Sequence, residues 1–153
     1  MLWPLKPLKP LKPQKHLKLY IMATIEKFEE IISWQEARAL NKEVAKLINE
    51  ERFKKNFRLI EQIEGSAGSI TDNIAEGFER GGNKEFIQYL YISKASCGEL
   101  RSQLYRAIDR TYITEQEFDL LAIHAKKVSY LIQKFINYLQ ESEIKGIKYK
   151  GRD

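Results

Sequence analysis

The sequence has only one cysteine, Cys97, and two histidines, His16 and His124. A lone cysteine cannot form an intramolecular disulfide, which fits a reducing, cytoplasmic setting. Di-iron centres in helical bundles require Glu-x-x-His motifs at inward positions, and the sequence contains none. One cysteine and two histidines also provide few ligands for a zinc site and few residues for Cys–His catalysis. We therefore expect neither a metal nor a cofactor.

Long apolar runs and strict alternation are also missing. No apolar stretch approaches the roughly 20 residues that a membrane-spanning helix requires, so no membrane partner is predicted. The N-terminus is basic, but no apolar segment of about 7–15 residues follows it, which argues against a secretory signal. Because polar and apolar residues never alternate strictly over any length, the sequence predicts no β-strands.

Proline is confined to residues 2–13, where Leu, Lys and Pro repeat with a period of three. Such a repeat suits polyproline II and builds no core, so we predict a disordered arm over residues 1–21, with Met22 as an alternative natural start. The arm holds five lysines and no acid. Without them the 26 basic residues become 21, equal to the acidic residues. Nucleic-acid contacts by the folded part therefore require local patches.

The chain is organised around residues 60–78, IEQIEGSAGSITDNIAEGF. Its isoleucines and Ala67 recur at spacings of three and four, which places them on one face of a helix. Gly65 and Gly68 each cost about 1 kcal/mol relative to alanine in a helix interior, so we expect another helix to pack against them at close range. Gly77 follows the last apolar turn, where a helix commonly ends.

Three further helices are predicted around this one. The first begins after Ser33, whose spacing to Glu36 is that of a capping box, and fades near residue 52. The next starts at an N-cap, Asn83, and runs to about residue 110. The last opens at a second capping box, Thr114 with Glu117, and ends near residue 142. A frayed basic tail over residues 143–153 follows.

Four helices with short connections predict an all-α fold, an antiparallel up-down four-helix bundle over residues 22–142. Each helix of such a bundle buries one apolar stripe. The predicted stripes are, in chain order, Ala37, Leu40, Val44 and Leu47; Ile60, Ile63, Ala67, Ile70 and Ile74; Phe86, Leu90, Ser93, Cys97, Leu100, Leu104 and Ala107; and Leu121, Val128, Leu131, Phe135 and Tyr138 or Leu139.

Two helices carry more apolar surface than a monomeric bundle requires. Residues 86–92 read FIQYLYI, and residues 130–139 are similarly broad. A helix packed on one side needs an apolar arc of only about 100° or somewhat more. The surplus predicts a second buried face and hence self-association. Tyrosines that tolerate partial exposure are the alternative explanation.

Basic and aromatic residues mix on the third helix and continue on the fourth. Arginines three to five residues apart can line one side of a helix and meet phosphate groups. A solvated charged face is the alternative interpretation for each of them. The candidate nucleic-acid or partner contacts are Arg101, Arg106, Arg110, Lys126 and Lys127.

Polar residues also lie beside the predicted core stripes. Asn73 and Glu76 flank the stripe of the central helix, and Glu99 flanks that of the third. Paired carboxylates can serve acid–base catalysis, so an unrecognised enzyme that uses Glu76 or Glu99 is one hypothesis. Because no metal ligands lie nearby, hydrogen bonds that fix helix register, or solvent exposure, are the favoured interpretation. We expect no enzymatic activity.

The stretch SITDNIAEGFERGGNKEFIQYLYISKASCGELRSQL, with WQEARAL upstream, resembles the four-helix-bundle proteins encoded in intervening sequences of bacterial 23S rRNA genes. Related proteins are accessory factors of diversity-generating retroelements. The resemblance covers roughly residues 28–139. Its most specific pieces are Ser69-Ile70, Asn73-Ile74-Ala75-Glu76-Gly77, Lys84-Glu85-Phe86, Ser96 and Glu99-Leu100. Structural roles are expected for five of these positions, namely Ser69, Asn73, Glu76, Gly77 and Glu99.

The resemblance implies a bundle that assembles into a homopentameric ring and has no known catalytic activity. For the retroelement relatives it implies binding to a reverse transcriptase and to nucleic acid through a basic surface. After Gln62-Ile63 the family often has two basic residues, whereas this chain has Glu64-Gly65. That departure and the neutral folded part argue against nucleic-acid binding.

We therefore expect a pentameric binding or scaffold module for a nucleic-acid-processing partner, such as a reverse transcriptase, or for RNA. Direct RNA or DNA binding by the basic arm and the patches on the third and fourth helices is the alternative.

Overall fold

Four long helices follow one another along the chain. They are α1, Ile32–Ile48; α2, Phe57–Glu79; α3, Asn83–Asp109; and α4, Glu115–Glu141. Two short 3-10 helices, Phe28–Glu30 and Glu51–Phe53, precede α1 and follow it. The computed structural model describes residues 25–141, and this range contains no β-strand. The all-α prediction is confirmed, whereas the predicted arm and tail lie outside the described residues.

Neighbouring helices run antiparallel, as the contacts between their side chains indicate. Gln62 of α2 contacts Arg106 of α3, whereas Glu76 contacts Tyr89, so residue numbers rise along one helix as they fall along the other. Contacts of α3 with α4 follow the same rule, and so do contacts of α4 with α1 and with the 3-10 helix that follows α1. Extensive packing joins α1 to α2, α2 to α3, α3 to α4, and α4 to α1. In this four-helix bundle, α2 and α4 therefore occupy opposite corners.

The core consists of the predicted stripes in α1 and α3, which are completely buried, and of the stripe in α2, where Ile60 is half-buried. In α4 the predicted stripe is partly wrong. Leu131 and Phe135 are half-buried, and Ile132 and Ile136 occupy the core positions instead. Both pairs belong to the same broad apolar surface of α4, so two adjacent stripes are compatible with the sequence. Packing against the other helices determines which of the two is buried.

The helix N-termini show where the capping rules hold. The Thr114 hydroxyl accepts from the Glu117 N–H at 3.1 Å, and the Glu117 carboxylate accepts from the Thr114 N–H at 2.9 Å, as predicted. The capping box at Ser33 is wrong. Buried Ile31 is the N-cap, so α1 begins one residue before Ser33, whose buried hydroxyl has no hydrogen-bond partner among the described residues. The predicted N-cap Asn83 is already the first residue of α3.

A matched pair of substitutions tests that Thr114 caps α4 and that Ser33 does not cap α1. Thr114→Ala removes the hydroxyl that accepts from the first turn of α4, so we expect the free energy of unfolding to fall by about 1 kcal/mol. Ser33→Ala removes a buried hydroxyl without a partner, so we expect the same quantity to stay unchanged or rise. Urea denaturation measures both. Equal destabilisation by the two substitutions would contradict the assignment of the caps.

Candidate functional site

Polar side chains line the boundary between α2 and α3, and hydrogen bonds cross this boundary along its length. We call it the polar seam. It contains positions of the resemblance motif together with residues that the sequence did not single out. Its members are Gln62, Ser66, Ser69, Asn73 and Glu76 of α2, and Tyr89, Ser93, Ser96, Gln103 and Arg106 of α3.

Small hydroxyl side chains hold the middle of the polar seam. The Ser96 hydroxyl donates to the Ser69 hydroxyl at 2.9 Å, and the Asn73 amide donates to the same oxygen at 2.8 Å. The fully buried Ser93 donates to the backbone carbonyl of Ile70 at 2.7 Å. Because these side chains are short and satisfy one another, the two helices can approach closely without leaving a buried polar group unpaired.

Gln103 is a buried polar residue of the seam that the sequence did not single out. Its side chain is only 4% exposed, accepts from the Ser66 hydroxyl at 2.5 Å and donates to the Glu99 carboxylate at 3.4 Å. Glu99 itself is exposed. The spacing of one helical turn between Glu99 and Gln103 was the available signal. Glu99 therefore supports a buried amide that links α3 to α2.

Glu76 lies near the other end of the polar seam and is exposed. Its carboxylate accepts from the Arg80 guanidinium at 3.0 Å and from the Tyr89 hydroxyl at 3.2 Å. Arg80, and then Tyr89, hold the pKa of Glu76 below its usual value. The carboxylate is therefore ionised at neutral pH and links α2 to α3.

The two glutamates proposed as a catalytic pair are far apart. Glu76 lies at the level of Tyr89, and Glu99 is ten residues further along α3. At 1.5 Å per residue this separation is about 15 Å along the helix axis, too far for two carboxylates to act on one bond. The structure thus places Glu76 in the polar seam and Glu99 beside it, hydrogen-bonded to Gln103, but does not bring the two carboxylates to a common site.

Gly77 lies within α2, which continues to Glu79, so the prediction that Gly77 ends the helix is wrong. A Cβ added at Gly77 would lie 2.6 Å from the Cβ of Tyr89 and 2.9 Å from the Phe86 ring. Nonbonded contacts of a Cβ atom are essentially never this short, so only glycine fits here without a shift of α3. Gly77 therefore allows α2 and α3 to approach each other closely at this position.

The close packing expected at Gly65 and Gly68 is not found within the described residues. A Cβ at Gly65 would meet no atom within 4 Å, and one at Gly68 would meet only the Asp72 carboxylate, at 4.0 Å. The prediction was right that α2 needs a glycine for close helix packing, but wrong about which glycine. Gly65 and Gly68 instead face outward.

The five candidate basic residues do not form one patch. Arg106 donates to Gln62 of α2 at 2.8 Å, and Arg110 turns back to the Arg106 carbonyl at 3.3 Å. Lys127 instead pairs with Glu36 of α1 at 3.2 Å. Because α1 and α3 occupy opposite corners, these arginines and Lys127 face different sides of the bundle.

Arg101 and Lys126 share the side formed by α3 and α4. Arg101 lies seven residues after Lys94, and Lys126 lies seven residues before Gln133. The Lys94 ammonium donates to Gln133 at 2.7 Å across the two helices. Residues seven apart share a helix face, so Arg101 and Lys126 flank this boundary.

A charged cluster joins α1 to α4. Glu36 accepts from Lys127 and contacts the His124 ring nitrogen at 3.1 Å. Lys127, followed by His124, holds the pKa of Glu36 below its usual value. One turn earlier along α4, a groove of about 410 Å³ opens beside α1, with Leu47 and Leu120 among its apolar lining residues. His124 is half-buried.

Chemically reactive groups are few in the described part of the chain. Burial raises the pKa of the Cys97 thiol to about 12, so the nucleophilic thiolate is scarce at neutral pH. Within residues 25–141 no cluster of three or more His, Cys, Asp or Glu side chains could hold a metal ion. None of the helices in that range combines the length and apolar character of a membrane-spanning segment.

Known proteins match this chain in sequence and in fold. The family model described as 23S rRNA-intervening sequence protein matches residues 29–134. No curated protein matches the sequence. A protein of unknown function from the S23 ribosomal protein family of Bacteroides thetaiotaomicron has a similar structure, with a TM-score of 0.63 and 22% identity over 69% of this chain and 98% of that one. At this identity the similarity concerns the fold alone.

The close approach at Gly77 can be tested against a glycine in an open position. Gly77→Ala places a methyl group against Tyr89, so we expect the free energy of unfolding to fall by about 1–3 kcal/mol. A Cβ at Gly98 of α3 would meet nothing within 4 Å. Gly98→Ala should therefore raise the free energy of unfolding by up to about 1 kcal/mol. Urea denaturation measures both, and equal stability of the two variants would contradict the assigned packing.

Proposed function

The chain belongs to the 23S rRNA-intervening sequence protein family, and we propose that it is a non-catalytic binding or scaffold module that works as a homo-oligomer. This membership confirms the resemblance found in the sequence, whereas the relation to retroelement accessory proteins stays a prediction. The proposed partner is a nucleic-acid-processing protein, such as a reverse transcriptase, or RNA. The proposed setting is the bacterial cytoplasm.

Exposed apolar side chains on α4 carry this proposal. Leu120 is 71% exposed, Ile123 is 65% exposed, and Tyr130 is 59% exposed. Part of the surplus predicted from the sequence is absorbed within the chain, since the Phe135 ring packs edge-on to Phe86 with centroids 5.3 Å apart. What stays exposed requires a second surface to cover it.

The alternative explanation, that tyrosines tolerate solvent, accounts for only some of this surface. Tyr91 accepts a hydrogen bond from Gln140, and Tyr130 lies beneath the Lys134 ammonium, so each tyrosine has a polar partner. Leu120 and Ile123 have no polar group to satisfy, and their exposure therefore supports an apolar contact with another molecule.

The satisfied polar groups support a non-catalytic role. Side chains of the polar seam hydrogen-bond with one another and thereby fix the register of α2 against α3. Glu76 and Glu99 are separated, and Cys97 holds its proton at neutral pH. Family membership and exposed apolar surface together therefore favour recognition of another molecule over chemistry. We propose the closed ring of five that the resemblance implies.

Direct nucleic-acid binding is the second candidate function. It is favoured by the composition of residues 120–140, which contain three lysines and no acidic residue. Arg101 and Lys126 lie together on the side formed by α3 and α4, where they could contact phosphate groups. The five lysines of residues 1–21 would add positive charge to this contact, and no acidic residue in that segment would offset it.

The oligomer is tested by analytical ultracentrifugation of the full chain at micromolar concentration. We expect a species of about five times the 18.0 kDa of one chain, since apolar contacts persist at such dilution in stable rings. The same measurement in high salt is a control, because an apolar interface is less sensitive to salt than a purely electrostatic one. A stable monomer under both conditions would contradict the proposal.

The second candidate is tested with a single-stranded RNA probe. If the basic arm binds it, the affinity should fall steeply as salt increases and should be largely lost when residues 1–21 are removed. Fluorescence anisotropy measures both effects. Binding that survives the truncation would exclude the arm, and its loss in the variant Arg101→Ala/Lys126→Ala would assign it to the side formed by α3 and α4.

A further inference from the structure

The outward surface of α2 is small and acidic. Glu61, Gly65, Gly68, Asp72 and Ala75 recur at alternating spacings of four and three, so they share one side of the helix, which we call the α2 face. All five are exposed or half-buried. Glycines lower the stability of a helix, and no close contact within the described residues requires Gly65 or Gly68. Gly65 and Gly68 therefore indicate a contact with another molecule.

The outward surface of α4 has the opposite character. Ile123, Lys126, Tyr130 and Lys134 recur at spacings of three and four and are all exposed, and we call this stripe the α4 face. The Lys134 ammonium lies 5.3 Å from the centre of the Tyr130 ring. Because residues 120–140 contain no acidic residue, this face is both apolar and positively charged.

The two faces complement each other in charge, shape and length. One carries carboxylates and the other carries ammonium groups. One is flat because of its glycines, and the other projects Ile123 and Tyr130, which pack best against a helix with small side chains. The α2 face, residues 61–75, spans about 21 Å of helix, and the α4 face, residues 123–134, spans about 17 Å, so one fits along the other. Such complementarity within one chain is expected where copies of that chain contact each other.

We propose that the α4 face of one copy packs on the α2 face of the next copy. This inference rests on the self-association proposed above and names the surfaces that would form it. The two faces lie at opposite corners of the bundle, so the contact cannot be symmetric. When two copies are joined in this way, the first keeps its α2 face free and the second keeps its α4 face free, so further copies can add at either end. A head-to-tail contact of this type closes into a ring when the rotation between neighbouring copies permits.

RNA is the other occupant that the lysines of the α4 face could attract. It would leave the α2 face unexplained, because glycines flanked by Glu61 and Asp72 offer nothing to a phosphate backbone. A second copy accounts for both faces at once. The observations therefore favour a protein contact between copies of this chain.

Charge reversal tests the pairing of the faces. One variant carries Glu61→Lys and Asp72→Lys, and the other carries Lys126→Glu and Lys134→Glu. These side chains are exposed, so both variants should keep the circular dichroism spectrum of the native bundle. We expect each variant alone to lose the oligomer and sediment as a monomer. A 1:1 mixture should regain an oligomer, because the native α4 face of one variant then meets the native α2 face of the other, and the two reversed faces meet each other. Strict alternation requires an even number of copies in a closed ring, so the mixed oligomer should differ in size from a ring of five.

Arg38→Glu/Lys42→Glu on the exposed side of α1 is the matched control, and it should leave the oligomer unchanged. A monomeric native chain would overturn both the proposed self-association and this interface. An oligomeric native chain whose reversed variants also remain oligomeric would overturn the interface alone. The interface would also be overturned if the variant Lys126→Glu/Lys134→Glu stayed oligomeric but lost affinity for a single-stranded RNA probe, since RNA would then occupy the α4 face.

Discussion

The close antiparallel packing of α2 on α3 is the constraint on which the rest of the structure depends. Gly77 lets the α3 backbone approach where a Cβ would lie 2.6 Å from Tyr89. From there, hydroxyl and amide groups continue the contact along the polar seam and satisfy one another in the interior. Since unpaired buried polar groups are costly, only one register pairs them all. The motif positions of the resemblance therefore serve the packing of the fold.

This constraint also determines what each helix presents to solvent. Once Ile63, Ile70 and Ile74 of α2 are buried in the core, Gly65 and Gly68 must face outward. In the same way, burial of Ile132 and Ile136 in α4 leaves Ile123 and Tyr130 exposed. The outward surfaces are thus consequences of core packing, and they differ in charge and shape. A module of this kind would act through its surfaces, which fits a binding role.

Much of the fold followed from the sequence because periodicity reports helix faces directly. The stripes of α1 and α3 were predicted in full, and so was the capping box at Thr114. Prediction failed where two local signals competed. In α4 two adjacent apolar stripes were available, and at Ser33 the burial of Ile31 outweighed a capping pattern. The choice between Gly65 and Gly77 as the contact glycine depended on which turn of α2 meets α3, which only tertiary packing decides. The site was less predictable, because buried Gln103 carries no signal beyond its spacing.

Site-specific photo-crosslinking tests the central claim, that outward surfaces of this bundle join copies of the chain head to tail. A benzoyl-phenylalanine in place of Ile123 lies on the α4 face. Trypsin cleaves after Arg58 and Arg80, so one peptide, residues 59–80, carries the whole α2 face. The account predicts that irradiation links position 123 of one copy to this peptide of another. Crosslinks between copies that join α4 only to α4, or no crosslink between copies, would contradict it.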